Sequence, residues 1–420
     1  MVSHQKTYNL NHMDIDRYKT IQDFSEYTDS DGAKGLKVTA KKYAHNGCEY
    51  TIVKYVKTNL AKEEYKTLGL ARSIIISGGR VLSFSPPKSL EYNSFVEENS
   101  SEQCFAEDFI DGTMINLFYN EAVNDWVIAT RSTIGAQTQF FVNSEDDKRT
   151  FSDMFYEACN IAQLDFSRLD NNYCYSFVLQ HPNNRIVTPI DFPKLFLIRA
   201  YSINNEMNSV SEVSGEVLLN NSGGLWNTGI MYPQRYPIDN YENLANYYNN
   251  PATPFYCVGV VVNSSTGRTK IRNNNYENIR ELRGNQSRLQ YHYLTLRKSG
   301  KVRDFLAFYG EFAVFFSEYR KTIHTYTNGL YSNYIKCYIR KEQELKAFPY
   351  EFKVHMFNLH QKYLAELKPN GGYIDKKCVI DYFNGLHPSQ QMHILNCKKK
   401  YNLDNQRNEV TDMLVAENIN

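Results

Sequence analysis

A chain of 420 residues, 42% hydrophobic and 22% charged, is long enough for two or three domains with substantial cores. Its 47 Lys and Arg balance 46 Asp and Glu, which excludes a protein that coats nucleic acid through net charge, though not local basic patches. The polar start, VSHQKTYNLNHMD after Met1, carries no secretion signal, no window approaches a membrane span, and the eight Cys and ten His form no zinc or disulfide pattern.

The first strand candidates are GLKVTAKKYA and EYTIVKYV, within residues 1–67. A hairpin follows, ARSIIIS and RVLSFSP joined at Gly78-Gly79, and Pro86-Pro87 ends it. Residues 104–110, 113–119 and 125–131 read as three more strands. Between the first two lies Asp111-Gly112, read as a tight hairpin turn in which the aspartate caps local amides. Apolar spacing at Phe151, Met154, Phe155, Ala158 and Ala162 predicts one amphipathic helix over 147–163.

Strands are predicted again at 172–180, 184–190 and 194–203, followed by a polar loop over 204–224. DNYENLANYYN (239–249) reads as a helix stopped by Pro251 and Pro254. FYCVGVVVNSSTGRTKIRN (255–273) reads as a hairpin turning at Ser265-Thr266-Gly267. From about residue 276 successive amphipathic helices replace the strands. The aromatic run FLAFYGEFAVFFSEY (305–319) exceeds one stripe, so it serves either a helical core or a protein interface. CKKKY (397–401) is a basic cluster of the kind that usually just suits a helix C-terminus and solvent. The organisation expected is a mixed α+β body, residues 1–285, followed by a helical C-terminal domain, residues 286–420.

One set of segments carries chemistry. FIDG (109–112) is followed by WVIATRST, YSFVLQHPNNRIV, CVGVVV, RTKIR and Tyr276, and preceded by SIIISGGRVLSFSPPKSLEYNSF. This order resembles the phage-type RNA ligases among the covalent nucleotidyltransferases over roughly residues 50–285, with HPNNRIV its most specific piece. The resemblance implies antiparallel sheets around a cleft. It also implies a nucleophilic lysine that attacks the α-phosphate of ATP, two glutamates that hold ribose and metal, and a closing pair of cations.

Placed on that pattern, the nucleophile position holds Phe109, while Asp111 and Gly112 remain. The third-motif glutamate falls on Val178 and the fourth-motif glutamate on Val258, with Gly259 and Val260 kept. Arg131 matches the arginine of the following strand, and the last motif survives as Lys270-Ile271-Arg272. Phenylalanine forms no phosphoramidate and valine ligates no metal, so three apolar replacements on separate strands imply lost adenylation. The other reading of Val178 and Val258 is core packing of central strands.

The expected role is therefore binding or structural, with no cofactor and no metal. Arg131, Lys270 and Arg272 are candidates for residual anion or RNA binding, weighed evenly against a solvated or ion-paired face. Other proteins of an assembly are expected partners. The phage-type resemblance and AT-rich codon usage point to a large DNA virus, with the protein in the virus particle or the host-cell cytoplasm and not secreted. The competing reading is an active ATP-dependent RNA ligase with displaced residues.

Overall fold

The computed structural model describes residues 6–20, 35–142, 149–221, 225 and 227–397. Residues 398–401 of the basic cluster lie outside them. The chain divides into two compact units, Met1–Arg283 and Gly284–Asn420.

The described strands of the first unit are β1 (Thr7–Asn9), β2 (Val38–His45), β3 (Cys48–Tyr55), β4 (Ile74–Ser77), β5 (Arg80–Ser83), β6 (Phe105–Asp108) and β7 (Thr113–Asn120). They continue as β8 (Asp125–Ala129), β9 (Tyr173–Gln180), β10 (Lys194–Asn204), β11 (Ser209–Glu212), β12 (Arg235–Pro237), β13 (Gly259–Asn263) and β14 (Arg268–Arg272). They form three sheets, ordered β1-β11-β10-β9-β7-β8, β12-β6-β13-β14 and β2-β3-β4-β5, and the pairings within each are antiparallel.

The six-stranded sheet sits at the centre because both of its faces are apolar. Strand alternation sends Ile115, Leu117, Tyr175, Phe177 and Leu179 to one face, where the helix Phe151–Ala162 covers them. That helix opens with a reciprocal cap between Thr150 and Asp153, which satisfies two of its free amides. Phe118 and Cys174 face the opposite way and pack with the β2–β5 sheet. The β12-β6-β13-β14 sheet has a core of its own, in which Val260, Val262 and Ile271 pack against Phe95 and Ala106.

A buried arginine ties two of the sheets together. Arg199 on β10 bonds Glu107 on β6 at 2.6 Å and Glu212 on β11 at 2.6 Å. Lys6 donates to Gly267 O at 3.0 Å beside them.

Three expectations are corrected here. Asp111-Gly112 is not a hairpin turn: β6 pairs with β12 and β13, while β7 pairs with β8 and β9, so the dipeptide carries the chain from one sheet to another. Residues 184–190 form no strand, because the amides of Val187 and Thr188 bond the Asp111 carboxylate instead of a ladder. The polar stretch 204–224 holds β11 and the helix Gly215–Asn221, with 222–224 outside the described residues.

The second unit is helical, through Leu289–Lys298, Val302–Phe308, Ala313–Tyr334, Tyr350–Lys362 and Lys376–Gly385. Phe305 stacks on Tyr309 and Phe316 with centroids 4.6 and 5.3 Å apart, and all three rings are buried. Of the two roles left open for this aromatic run, these rings fill the unit's own core. The fold is mixed α+β, with antiparallel sheets followed by a helical C-terminal region.

Candidate anion-binding cavity between two sheets

A cavity of about 220 Å³ opens in the first unit, with walls from the six-stranded sheet and the β12-β6-β13-β14 sheet. Met114, Val178 and Ile198 line it from β7, β9 and β10. Phe109 and Val258 line it from the segments beside β6 and β13. The three positions singled out in the sequence therefore share one cavity. Phe109 is held there by its backbone, whose amide donates to Gly259 O at 3.1 Å.

The wall from the β12-β6-β13-β14 sheet is also cationic, for a simple reason. β14 reads Arg-Thr-Lys-Ile-Arg, and a period of two puts Arg268, Lys270 and Arg272 on one face. Ile271 points the other way, into its sheet's core. Arg72 and Arg280 complete the wall. The lining thus holds five cations and a single carboxylate, Asp111.

That carboxylate is fully engaged. Its Oδ2 accepts from the amides of Val187 and Thr188 at 3.1 and 3.0 Å, and its Oδ1 accepts from the Tyr276 hydroxyl at 2.7 Å. Burial, then the Asp111 charge, hold the Tyr276 hydroxyl protonated well above the usual phenol range. Glu277 pairs with Arg272 at 2.5 Å and with Arg280 at 3.5 Å. Arg268 is buried and donates to the carbonyls of Pro86 and Pro87 at 3.0 Å.

Lys270 Nζ stands 4.1 Å from the centre of the Phe109 ring, and the Arg272 guanidinium 5.5 Å from it. The ring face offers a weak cation site and no exchangeable proton. Among the described residues Lys270 forms no ion pair and no side-chain hydrogen bond. Burial, then the charges of Arg268, Arg72, Arg272 and Arg280, drive its ammonium well below the usual lysine range. Burial and Arg268 likewise pull Arg72 down to about 10. These shifts mark a wall short of negative charge, the condition an anionic ligand relieves.

Arg131 does not line the cavity. Its guanidinium donates to the carbonyls of Tyr55 and Arg72 at 3.1 and 3.3 Å and lies over the Tyr55 ring. The arginines at 72, 268 and 280 were not singled out in the sequence. Arg268 was legible there, since it shares the alternation of Lys270 and Arg272. Arg72 and Arg280 carry no local signal.

No family model matches the chain. It is 30% identical over 124 residues to an RNA ligase of Rhodothermus phage RM378, covering 27% of this chain and 27% of that protein. It is 27% identical over 290 residues to the immediate-early protein ICP-46 homolog of Invertebrate iridescent virus 6, covering 64% of this chain and 60% of that one. The chain thus spans about a quarter and three fifths of these relatives. Solved structures similar to it include a putative ATP-dependent DNA ligase from Aquifex aeolicus, at TM-score 0.38 and 13% identity over 80% of this chain and 79% of that one. An archaeal ATP-dependent RNA ligase overlays at TM-score 0.36 and 12% identity over 61% and 62%. Overlays this loose carry no functional argument. By its sequence relatives, the chain is RNA-ligase-like, with viral kin.

Proposed function

We propose that this protein is a catalytically inactive RNA-ligase-like chain that holds a phosphate group without bonding to it. One observation carries the reading. Phe109, Val178 and Val258 line the same cavity as five cations, so the place where the resemblance sets a nucleophile and two glutamates carries apolar side chains beside phosphate-seeking ones. A phenyl ring cannot form a covalent lysyl-nucleotide bond, and guanidinium groups match phosphate geometry. The phosphate donor is nucleotide or RNA.

The alternative is an active ligase with displaced residues. The described lining of the cavity holds one lysine, Lys270, so that reading places the covalent bond there. Incubating the protein with ATP labelled at the α-phosphate, with magnesium or manganese, separates the two. We expect no covalent label that survives alkali and denaturing electrophoresis, conditions a lysyl phosphoramidate withstands; label on Lys270 or any other lysine would overturn the inactive reading.

A part in a virus particle is a further form of the binding role. The iridescent-virus relative is named an immediate-early protein, which favours the infected cell over the particle as the place of action. Mass spectrometry of purified particles tests this, with absence from particles expected.

A further inference from the structure

We propose that the cavity takes a bare phosphate chain, a di- or triphosphate without a divalent metal escort. The inference rests on the phosphate-binding reading above and adds to it the state and size of the ligand.

The donor set argues against a metal. A hard divalent cation needs carboxylate, carbonyl or water oxygens around it. The two wall positions where the resemblance expects carboxylates carry the apolar side chains of Val178 and Val258. Asp111 spends both carboxylate oxygens on Val187, Thr188 and Tyr276. Glu277 is bound between Arg272 and Arg280. Any carboxylate freed to bind a metal would leave a buried hydroxyl and amides, or two guanidinium groups, without their acceptor. A divalent cation in the cavity would also meet the like charge of the arginines that line it.

The same charges suit an unescorted phosphate chain. In enzymes of phosphoryl chemistry the metal bridges oxygens of the β- and γ-phosphates and cancels their charge. Here five side-chain cations line the wall against one occupied carboxylate, and they supply that charge directly. Lys270 has no side-chain acceptor among the described residues and regains its proton beside an anion, while the arginines offer planar forks that donate to two oxygens each. A metal-bound triphosphate arrives with half its charge already cancelled, so the metal competes with the wall.

Size limits the ligand. The cavity of about 220 Å³ is smaller than the roughly 300–1,000 Å³ typical of sites that enclose a whole drug-sized ligand. A phosphate chain fits inside it, and a nucleoside attached to that chain remains outside. Free oligophosphate and the tail of a nucleoside triphosphate share this chemistry.

Isothermal titration of the full chain at low salt tests the proposal with sodium tripolyphosphate and with ATP, each in EDTA and in excess magnesium. Both ligands are expected to bind in EDTA, within about fivefold of one another, and magnesium is expected to weaken each at least tenfold. Arg280→Gln, on the exposed rim, and Lys270→Gln are each expected to weaken tripolyphosphate at least fivefold with unchanged far-UV circular dichroism. Binding that appears only with magnesium overturns this inference and leaves the phosphate-binding reading standing. ATP binding while tripolyphosphate does not, or either variant binding like wild type, overturns the assignment to a phosphate chain in this cavity. Absence of binding by both ligands in both conditions overturns the phosphate-binding reading itself.

Discussion

Lys270 and Lys6 show how one residue type answers two kinds of burial. Lys270 lies over an aromatic ring among arginines, and burial with their charges lowers its ammonium well below the usual range. Lys6 is enclosed as well, but bonds Gly267 O and Asn263 Oδ1 and faces Glu212, Arg199, Arg268 and Glu107. Burial outweighs its acidic neighbours and lowers Lys6 to about 8. The unfolded chain, with an ordinary lysine near 10.5, therefore binds more protons than the folded one between pH 8 and 10.5. Stability rises with pH across that window, and the penalty is fully present below it. Tyr8, pushed up to about 12 by burial, acts in the opposite direction above pH 10. From pH 8 to 10 wild type should gain about 2 kcal/mol relative to Lys6→Met. Urea unfolding at both pH values measures the difference, and parallel curves would contradict the burial of Lys6.

At the scale of elements, two glycines let the strands around the cavity approach. Gly259 opens β13 at φ +129°, and a Cβ there would lie 2.1 Å from Ile271 O. Gly112 sits at φ +142°, with a Cβ position 2.4 Å from Leu179 O. Both conformations and both contacts refuse a side chain. Gly259→Ala should cost at least about 3 kcal/mol in thermal or urea unfolding, because it adds backbone strain to a clash with main chain. The sequence made both glycines visible, but not the reason for Gly112. Asp-Gly between two apolar runs is the local signature of a hairpin, and local pattern does not encode which sheet each run joins. The β4–β5 hairpin was legible because its turn is local: Gly78 and Gly79 both take positive φ.

Over the whole molecule, each compact unit has a core of its own. In the second unit the helix Tyr350–Lys362 has two apolar faces. Phe352, Met356 and Leu359 are buried, while Tyr350, Val354 and Phe357 are exposed. Met356→Ala should destabilise this unit by about 2–5 kcal/mol, and Phe357→Ser should change it by less than about 0.5 kcal/mol, by thermal unfolding. Equal losses would mean that the exposed face is covered. The change from strands to helices near residue 276 was legible because the hydrophobic period itself changes. The cavity was legible only in part. Phe109, Val178, Val258, Lys270 and Arg272 stand out against the motif order of the RNA ligases that the chain resembles, whereas Arg72 and Arg280 join them only through long-range folding. Buried charge leaves no period in the sequence. Arg199 shows the same: its two acids lie 92 residues before it and on the neighbouring strand β11.

Asp111 gathers three distant pieces of chain: its own link between β6 and β7, the segment at Val187–Thr188, and Tyr276 in the helix Asn274–Arg283. Amides in an irregular segment normally exchange with solvent in local openings that leave the rest of the fold intact. Those of Val187 and Thr188 answer to a buried carboxylate instead of a strand, and releasing them strips Oδ2 of the two donors it has there. Their deuterium uptake should therefore be as slow as that of the central strand β9, while the nearby amides of residues 190–192 exchange fast. In Asp111→Asn both should join the fast class. The aspartate that the resemblance places beside the nucleophile position, here Phe109, would thus act as a clock: it sets how seldom this part of the molecule opens.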